Sequence, residues 1–568
     1  MDGSKDCSCV HGSSALRKRS CSSVRTGIAA GTRVSRLPQE IAGANGRRLA
    51  GHSALMVGAA VAWWLALPPR GWWVLFPVGV TVFMLALAGQ PLRNRLWLGG
   101  LSGVVHYALV LRWLTDFNTA GYVAVVAIQT LLLMLVAAVS SSEPAFRGRW
   151  PVWWLLTPAA LVILEAVQHR FPFGGFPLPA FGYSQADGPF MAAAPLGGTL
   201  LTTALAAVAG AVVAAVILER KRARGLSVLA IVVLLAVPGF APVIVDDAVE
   251  DTLEVVLVQG GGPRGLRAVH TDPFDTTRRH LQTAADITGT PDLVLMPENV
   301  ANVDETVDGT VVDASFAELA RQLDTNVVVG ITESDGEHFR NASILWGPDG
   351  TRSGRYEKHH RVPFGEYLPM RNLIERLSDD ARFIPRDAVI GEGPAVLDPS
   401  GAPRLGIVIS YEVFFADRVA DAVRNGGQLL LAPTNAASFM TEEVPAIEVA
   451  ASRMRASEFG RTVLQAAPTG YSAIIQPNGT VSQLSDLSTS ELLTATVPLH
   501  TGLTPYARMG DTPMLILALL ALAWPLVSDL VSWLRGRRGQ GGISSRQIPS
   551  PPSYVDGMLA LAASDERA

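Results

Sequence analysis

From about His52 to Val245 the chain is a succession of almost unbroken apolar runs, and beyond that point the pattern changes character. Seven runs can be drawn, at about 52–68, 71–89, 95–114, 121–140, 151–168, 190–218 and 226–245; an eighth, TPMLILALLALAWPLVSDLVSW, occupies 512–533. Each is close to the roughly 20 residues that cross a bilayer as a helix, which predicts about eight transmembrane helices. Between the seventh and eighth runs polar positions return, and the apolar stretches become short and bounded by Gly, Pro or Asp. LEVVLVQGG (253–261), PDLVLMPEN (291–299), NVVVGITES (326–334), RLGIVISYE (404–412), QLLLAPTN (428–435) and TVLQAAPTG (462–470) have this form. It is the pattern of strands buried on both faces. Helical stretches separate several of them: DASFAELARQLD (313–324), FADRVADAVRNGG (415–427) and AIEVAASRMRASEFG (446–460). Strands alternating with helices predict an α/β domain whose site gathers at the carboxyl ends of the strands.

Composition agrees: 49% hydrophobic against 17% charged residues is too apolar for an ordinary soluble chain. Charge placement orients it. Arg93 and Arg95 follow the second run, Arg147 and Arg149 the fourth, Arg220, Lys221, Arg222 and Arg224 the sixth, and Arg535, Arg537 and Arg538 the eighth. The loop DFNTAG after the third has no basic residue, whereas the N-terminal segment carries Arg17, Lys18, Arg19, Arg25, Arg33, Arg36, Arg47 and Arg48. Basic loops stay on the cytoplasmic side, so both termini are expected there and the α/β domain outside. The expected organisation is a disordered leader (1–50), a transmembrane bundle (51–246), an extracytoplasmic α/β domain (250–508), a closing transmembrane helix (511–534) and a cytoplasmic tail (535–568).

All three cysteines, Cys7, Cys9 and Cys21, fall in the leader, so the outer domain has neither a disulfide framework nor a cysteine nucleophile. The net charge of −4 does not point to nucleic acid. No zinc-type spacing, P-loop or dinucleotide fingerprint suggests a metal or cofactor, and His359-His360 read as flanking a site.

Three polar residues sit at strand ends: Glu298 closes LVLMPE, Ser410 closes GIVIS, and Lys358 lies in RYEKHHRVPFGEYLP after a hairpin-like segment. Taken singly, such residues are most often solvated charges or helix caps. Together they supply a base, a cation and a nucleophile, the set that acyl transfer through an enzyme-bound ester requires.

The order Glu, Lys, nucleophile resembles the nitrilase (carbon–nitrogen hydrolase) superfamily, which uses Glu-Lys-Cys on an α-β-β-α sandwich. With VQGGGP, MPEN, KHHRVPFGEYLP, SYEVFF, SRMRASEFGR and EAVQHRFPFGGFP (165–177), nearly the whole chain after residue 50 resembles the apolipoprotein N-acyltransferase family. The resemblance implies a multi-pass protein of the bacterial plasma (inner) membrane. It implies transfer of a fatty acyl chain from a phospholipid to an enzyme nucleophile, then to the amino group of the S-diacylglyceryl cysteine of a lipoprotein, without a cofactor. By position it makes Glu298 the general base, Lys358 the oxyanion partner and Ser410 the acyl-accepting residue. Glu366 matches a second, ordering glutamate, and Tyr411 and Glu412 match the residues after the nucleophile. Asn435 and Phe439 match a loop that lines the substrate mouth. Arg170, beside His169 at the outer end of the fifth run, either meets phospholipid headgroups or anchors its helix at the interface.

Two departures stand out. Ser410 replaces the family's cysteine, and in TNAASFM (434–440) Ala436 and Ser438 replace an acidic residue and a tryptophan. A thiol ionises near pH 8.5; an alcohol is far less acidic, so a base must accept its proton during attack. Two other readings share the pattern: a membrane-tethered nitrilase-like hydrolase of amides or lipids, and a non-catalytic paralogue that binds lipid or lipoprotein or scaffolds another enzyme.

Overall fold

The structure, a computed structural model, describes residues 36–140, 152–219, 230–234, 236–239, 249–265, 274–377, 384–399 and 401–539. The three cysteines, the basic loops at Arg147 and Arg220, and the tail beyond 539 lie outside the described residues. Residues up to Gly51 and residues from His52 onward form two compact units; the contacts below are within the second.

The first helix, α1 (Arg36–Ala66), begins inside the stretch expected to be a disordered leader. Its only proline, Pro38, sits in the first turn, where a missing N–H removes no helical hydrogen bond. Then come α2 (Leu75–Leu87), α3 (Leu92–Val110), α4 (Thr119–Val139), α5 (Leu156–Gln168) and α6 (Ala194–Leu218). Where about eight spans are expected, four helical segments among the described residues are long and apolar enough to cross a membrane: Arg48–Ala66, Thr119–Val139, Pro189–Leu218 and Thr512–Asp529. Leu75–Leu87, Trp153–Gln168 and Ala230–Gly239 are apolar but shorter. Helix α3 carries Arg93 and Arg95 in its first turn, which lowers its hydropathy.

The α/β domain contains two sheets. In the first, β1 (Val249–Gln259), β2 (Leu293–Leu295), β4 (Asn326–Asp335), β5 (His338–Trp346) and β6 (Arg352–Glu357) lie side by side, with β14 (Glu491–His500) outside β1; β3 (Ala301–Val303) pairs with β4, and β7 (Asp387–Ala388) with β5. In the second the order is β13 (Val481–Leu484), β12 (Ala473–Ile475), β11 (Val463–Ala466), β10 (Leu429–Pro433), β9 (Leu405–Ile407) and β8 (Val396–Leu397). The central strands β1-β2-β4 and β9-β10-β11 run parallel. The sheets meet through β1 and β11, β10 and β14, and β6 and β8. Helices α7 (Asp275–Ala284) and α8 (Val311–Leu323) cover the first sheet; α10 (Ala416–Arg424) and α11 (Glu443–Phe459) cover the second. The short α9 (Arg371–Leu377) lies between β6 and β7 in the chain. The layers are therefore helix, sheet, sheet, helix, as expected. Val294, Val327, Val329, Ile344, Phe316 and Trp346 fill the space between the first sheet and its helices.

Short α12 (Pro505–Met509) leads into α13 (Thr512–Gly539). The domain and the bundle are joined at a break in α6. Gly197 and Gly198 leave helical geometry, Gly198 at φ +65°, and the helix restarts at Thr199. A restarting helix leaves N–H groups without partners. Here the Thr199 N–H and hydroxyl both donate to Glu458 Oε1 of α11, each at 2.6 Å, and Arg455 donates to Thr199 Oγ1 at 2.7 Å. A carboxylate at a helix N-terminus is also favoured by the helix dipole.

A Cβ at Gly198 would lie 2.4 Å from the Tyr506 ring, on a backbone that side chains disfavour. Gly198→Ala is expected to destabilise the detergent-purified protein by about 2–3 kcal/mol, read as a lowered thermal unfolding midpoint. An unchanged midpoint would show that the break is not a fixed part of the fold.

Candidate active site

The expected residues stand just beyond the carboxyl ends of β2, β6 and β9, with Thr434 beyond β10. After Leu295 the chain turns through Met296 and Pro297, and Gly330 of β4 allows this turn. A Cβ there would meet Pro297 O at 2.3 Å and Glu298 Cα at 2.5 Å. Asn299 then takes a positive φ of 56°.

Lys358 follows the β5–β6 hairpin, and its side chain is 3% exposed. Its Nζ donates to Glu298 Oε1 and Glu366 Oε1, both at 2.8 Å. Asn341 Nδ2 donates to the same two oxygens at 2.7 and 3.0 Å. An ammonium has three N–H groups, so one is left for an oxyanion. Burial opposes the charge on Lys358, but Glu298 and Glu366 outweigh it and hold its pKa above the ordinary lysine value. Glu298 is displaced upward, by burial first and by Glu366 as well, against the pull of Lys358.

Ser410 opens a one-turn 3-10 helix (Ser410–Phe414) directly after β9 and has φ +50°. A non-glycine residue in that region marks a strained turn held by its surroundings. A sharp turn from strand to helix is also how a nucleophilic serine is presented in other folds. Here the holding group is Glu412, which is fully buried. Its Oε2 accepts from Ile409 N–H and Tyr356 O–H, both at 2.7 Å. Its Oε1 accepts from His359 N–H at 2.7 Å and His360 N–H at 3.0 Å. One carboxylate therefore pins the Ser410 turn to the segment that carries Lys358. The two histidines flank the site through their backbone.

Sequence reasoning missed two residues. Thr434 Oγ1 lies 3.2 Å from Ser410 Oγ and 2.8 Å from Glu448 Oε1, and Ser410 Oγ is 3.4 Å from that carboxylate oxygen. Glu448 is 4% exposed, and burial pushes its pKa up to about 7. The available signal was weak: one acidic residue in the apolar run PAIEVAAS, on a helix buried almost all round. Among the described residues, Ser410 makes no hydrogen bond with Glu298 or Lys358.

The other expected residues act at a distance from Ser410 Oγ. Tyr411 O–H donates to Gly175 O at 2.9 Å, tying the turn to the segment that follows α5. Asn435 Oδ1 accepts from Ala437 N–H at 3.0 Å and shapes its own loop. Phe439 packs edge-on against Trp113 and Phe117 of the bundle, with centroids 5.2 and 5.3 Å away. Arg170 pairs with Asp511 at 3.1 Å and is half exposed. It lines a cavity of about 250 Å³ with His169, His360, Phe415, Arg455 and Asp511, which touches the flank of the serine turn rather than Ser410 itself.

Comparison with known proteins gives two family matches. Residues 59–212 match the apolipoprotein N-acyltransferase N-terminal domain, and residues 268–503 match carbon-nitrogen hydrolase. A protein of Photobacterium profundum named apolipoprotein N-acyltransferase is 26% identical over 499 residues, covering 84% of this chain and 95% of its own. One of the same name from Mycolicibacterium smegmatis is 29% identical over 513 residues, covering 84% of each. Among solved structures, a branch 10 nitrilase-superfamily member from Saccharomyces cerevisiae aligns at 18% identity and a TM-score of 0.34, over 44% of this chain and 91% of its own.

Glu412→Gln tests the clamp. An amide keeps one acceptor oxygen but turns an NH2 toward two donors, and unmet buried donors cost about 1–3 kcal/mol each. The expected result is a loss on the order of 3 kcal/mol in stability, with acyl transfer abolished. A variant with wild-type stability and turnover would remove Glu412 from this role.

Proposed function

The chain belongs to the apolipoprotein N-acyltransferase family, and we propose that Ser410 carries the acyl group between the two halves of its reaction. The protein is an N-acyltransferase of lipoproteins and an integral membrane protein. The finer reading is a ping-pong transfer: the donor is a phospholipid ester and the acceptor the amino group of an S-diacylglyceryl cysteine. The observation that carries it is Ser410 at a buried, left-handed turn, clamped by Glu412 to the segment that presents Lys358.

In the first half Ser410 Oγ attacks the ester carbonyl as its proton passes to a carboxylate base, the tetrahedral oxyanion takes the spare N–H of Lys358, and the lysophospholipid leaves with that proton. In the second half the lipoprotein amine attacks the Ser410 ester, Glu298 takes the amine's proton and returns it to Ser410 Oγ as the acyl carbon–oxygen bond breaks, its Oε1 held by Lys358 and Asn341. Glu366 keeps Lys358 in place from the other side. Asn435, Phe439 and Arg170 belong to the substrate mouth in this reading. Phe439 against Trp113 and Phe117 closes an apolar wall between domain and bundle that suits acyl chains.

The same reading has about eight spans, both termini in the cytoplasm and the catalytic domain (250–508) on the extracytoplasmic face of the bacterial plasma membrane. The basic residues after the even-numbered runs support it. Neither lipid substrate then leaves the bilayer, which would be costly for each buried CH2.

Intact-peptide mass spectrometry of protein purified from membranes tests the acyl-serine. A fatty acyl mass is expected on the peptide holding Ser410, absent in Ser410→Ala and discharged by a diacylglyceryl-cysteinyl peptide. A bare Ser410 in protein that still N-acylates lipoproteins would overturn the assignment.

A further inference from the structure

Ser410 needs a base more than a cysteine would, and the carboxylate hydrogen-bonded to its hydroxyl is not the one the family pattern supplies. Glu298 Oε1 is held by Lys358 and Asn341. Glu448 Oε1 stands 3.4 Å from Ser410 Oγ, and both are hydrogen-bonded to Thr434 Oγ1. All three of these residues are at least nine-tenths buried. A threonine hydroxyl has a single hydrogen. It is placed to donate to the carboxylate at 2.8 Å or to Ser410 Oγ at 3.2 Å, while the Ser410 hydroxyl itself donates to Glu448 Oε1.

We propose that Glu448 is the catalytic base for Ser410, taking its proton directly, and that Glu298 serves the second half-reaction alone. The inference rests on the acyl-serine reading above and assigns one proton within it. In acylation the Ser410 O–H proton passes to the Glu448 carboxylate as the Oγ–carbon bond forms. The intermediate then collapses, the carbon–oxygen bond to the glycerol backbone breaks, and Glu448 returns the proton to the departing alkoxide. Glu448 ends as it began, and no further reactant is consumed.

The electrostatic setting fits such a shuttle. Glu448 faces the Glu298 carboxylate and the Lys358 ammonium as well as the Ser410 and Thr434 hydroxyls. Burial first, and then the charge of Glu298, bring its pKa to about 7. A base poised near neutrality both accepts and returns a proton readily. Because the ionised form is the active one, the acylation rate should climb as pH rises through about 7 and fall below it.

The test follows acyl-Ser410 formation by rapid quench and peptide mass spectrometry, using full-length protein in mixed micelles with a phospholipid bearing an isotopically labelled acyl chain. Glu448→Gln is expected to slow this step by about 100-fold or more, the usual contribution of a positioned base. In a Ser410→Cys background, where the thiol ionises without help, the same substitution should cost less than about 10-fold. Equal losses in the two backgrounds, or an unimpaired Glu448→Gln, would overturn the proposal and leave the acyl-serine reading standing. The wild-type protein gives a second readout that does not depend on any variant folding: a profile flat across pH 7 would also exclude Glu448. If neither Ser410 nor Cys in its place is ever acylated, the acyl-enzyme reading itself fails and this inference falls with it.

Discussion

A single buried carboxylate, Glu412, holds together a site whose parts come from different sheets. Lys358 leaves the edge strand of one sheet, and Ser410 leaves a strand of the other. Nothing in strand pairing fixes their separation, because the sheets touch through side chains. Glu412 fixes it with backbone N–H groups on both sides, those of Ile409, His359 and His360, and with the Tyr356 hydroxyl. Backbone donors cannot rotate away as side chains do, so the carboxylate acts as a rigid spacer. It also offsets the unfavourable φ of Ser410, since relaxing that turn would break charge-assisted bonds in a buried place.

The same turn is coupled to the bundle. Tyr411, next to Ser410, reaches Gly175, and Tyr367 donates to Phe173 O at 3.2 Å. On α11, Arg455 and Glu458 seize the broken turn of α6, and Arg453 pairs with Asp187 at 2.6 Å. Glu448 lies on that helix too. Whatever moves α6 therefore acts on the helix that carries the carboxylate beside Ser410. The serine turn is thereby tied to the helical bundle.

Much of this was legible in the residues. Short apolar runs closed by Glu298 and Ser410 became strands that stop just before them, because a strand buried on both faces has no place for polar groups. The boundaries were coarser. Helix α11 starts at Glu443, before the periodic segment read from 446, and α1 reaches back to Arg36 through residues whose polarity suggested a leader. What the sequence concealed were pairings set by tertiary approach. Thr434 reads as the start of a polar loop, and Glu448 as an interruption of an apolar helix; only the packing of α11 against the serine turn brings them together. Arg170 reads as a free interfacial cation, yet Asp511, hundreds of residues away in the chain, is its partner.

Charge counting gives the site its last property. Glu298, Glu366 and Glu448 are arranged around one ammonium, that of Lys358, in largely buried space. Three ionised carboxylates against a single cation leave two uncompensated negative charges, which a buried site resists by keeping a proton. Glu298 and Glu448 are both displaced upward, each by burial first and each further by a neighbouring carboxylate. A cysteine thiolate would add yet another negative charge to this cluster. A serine hydroxyl adds none. In these surroundings the alcohol, slower as a free nucleophile, is the one that leaves the resting site closer to electrical balance.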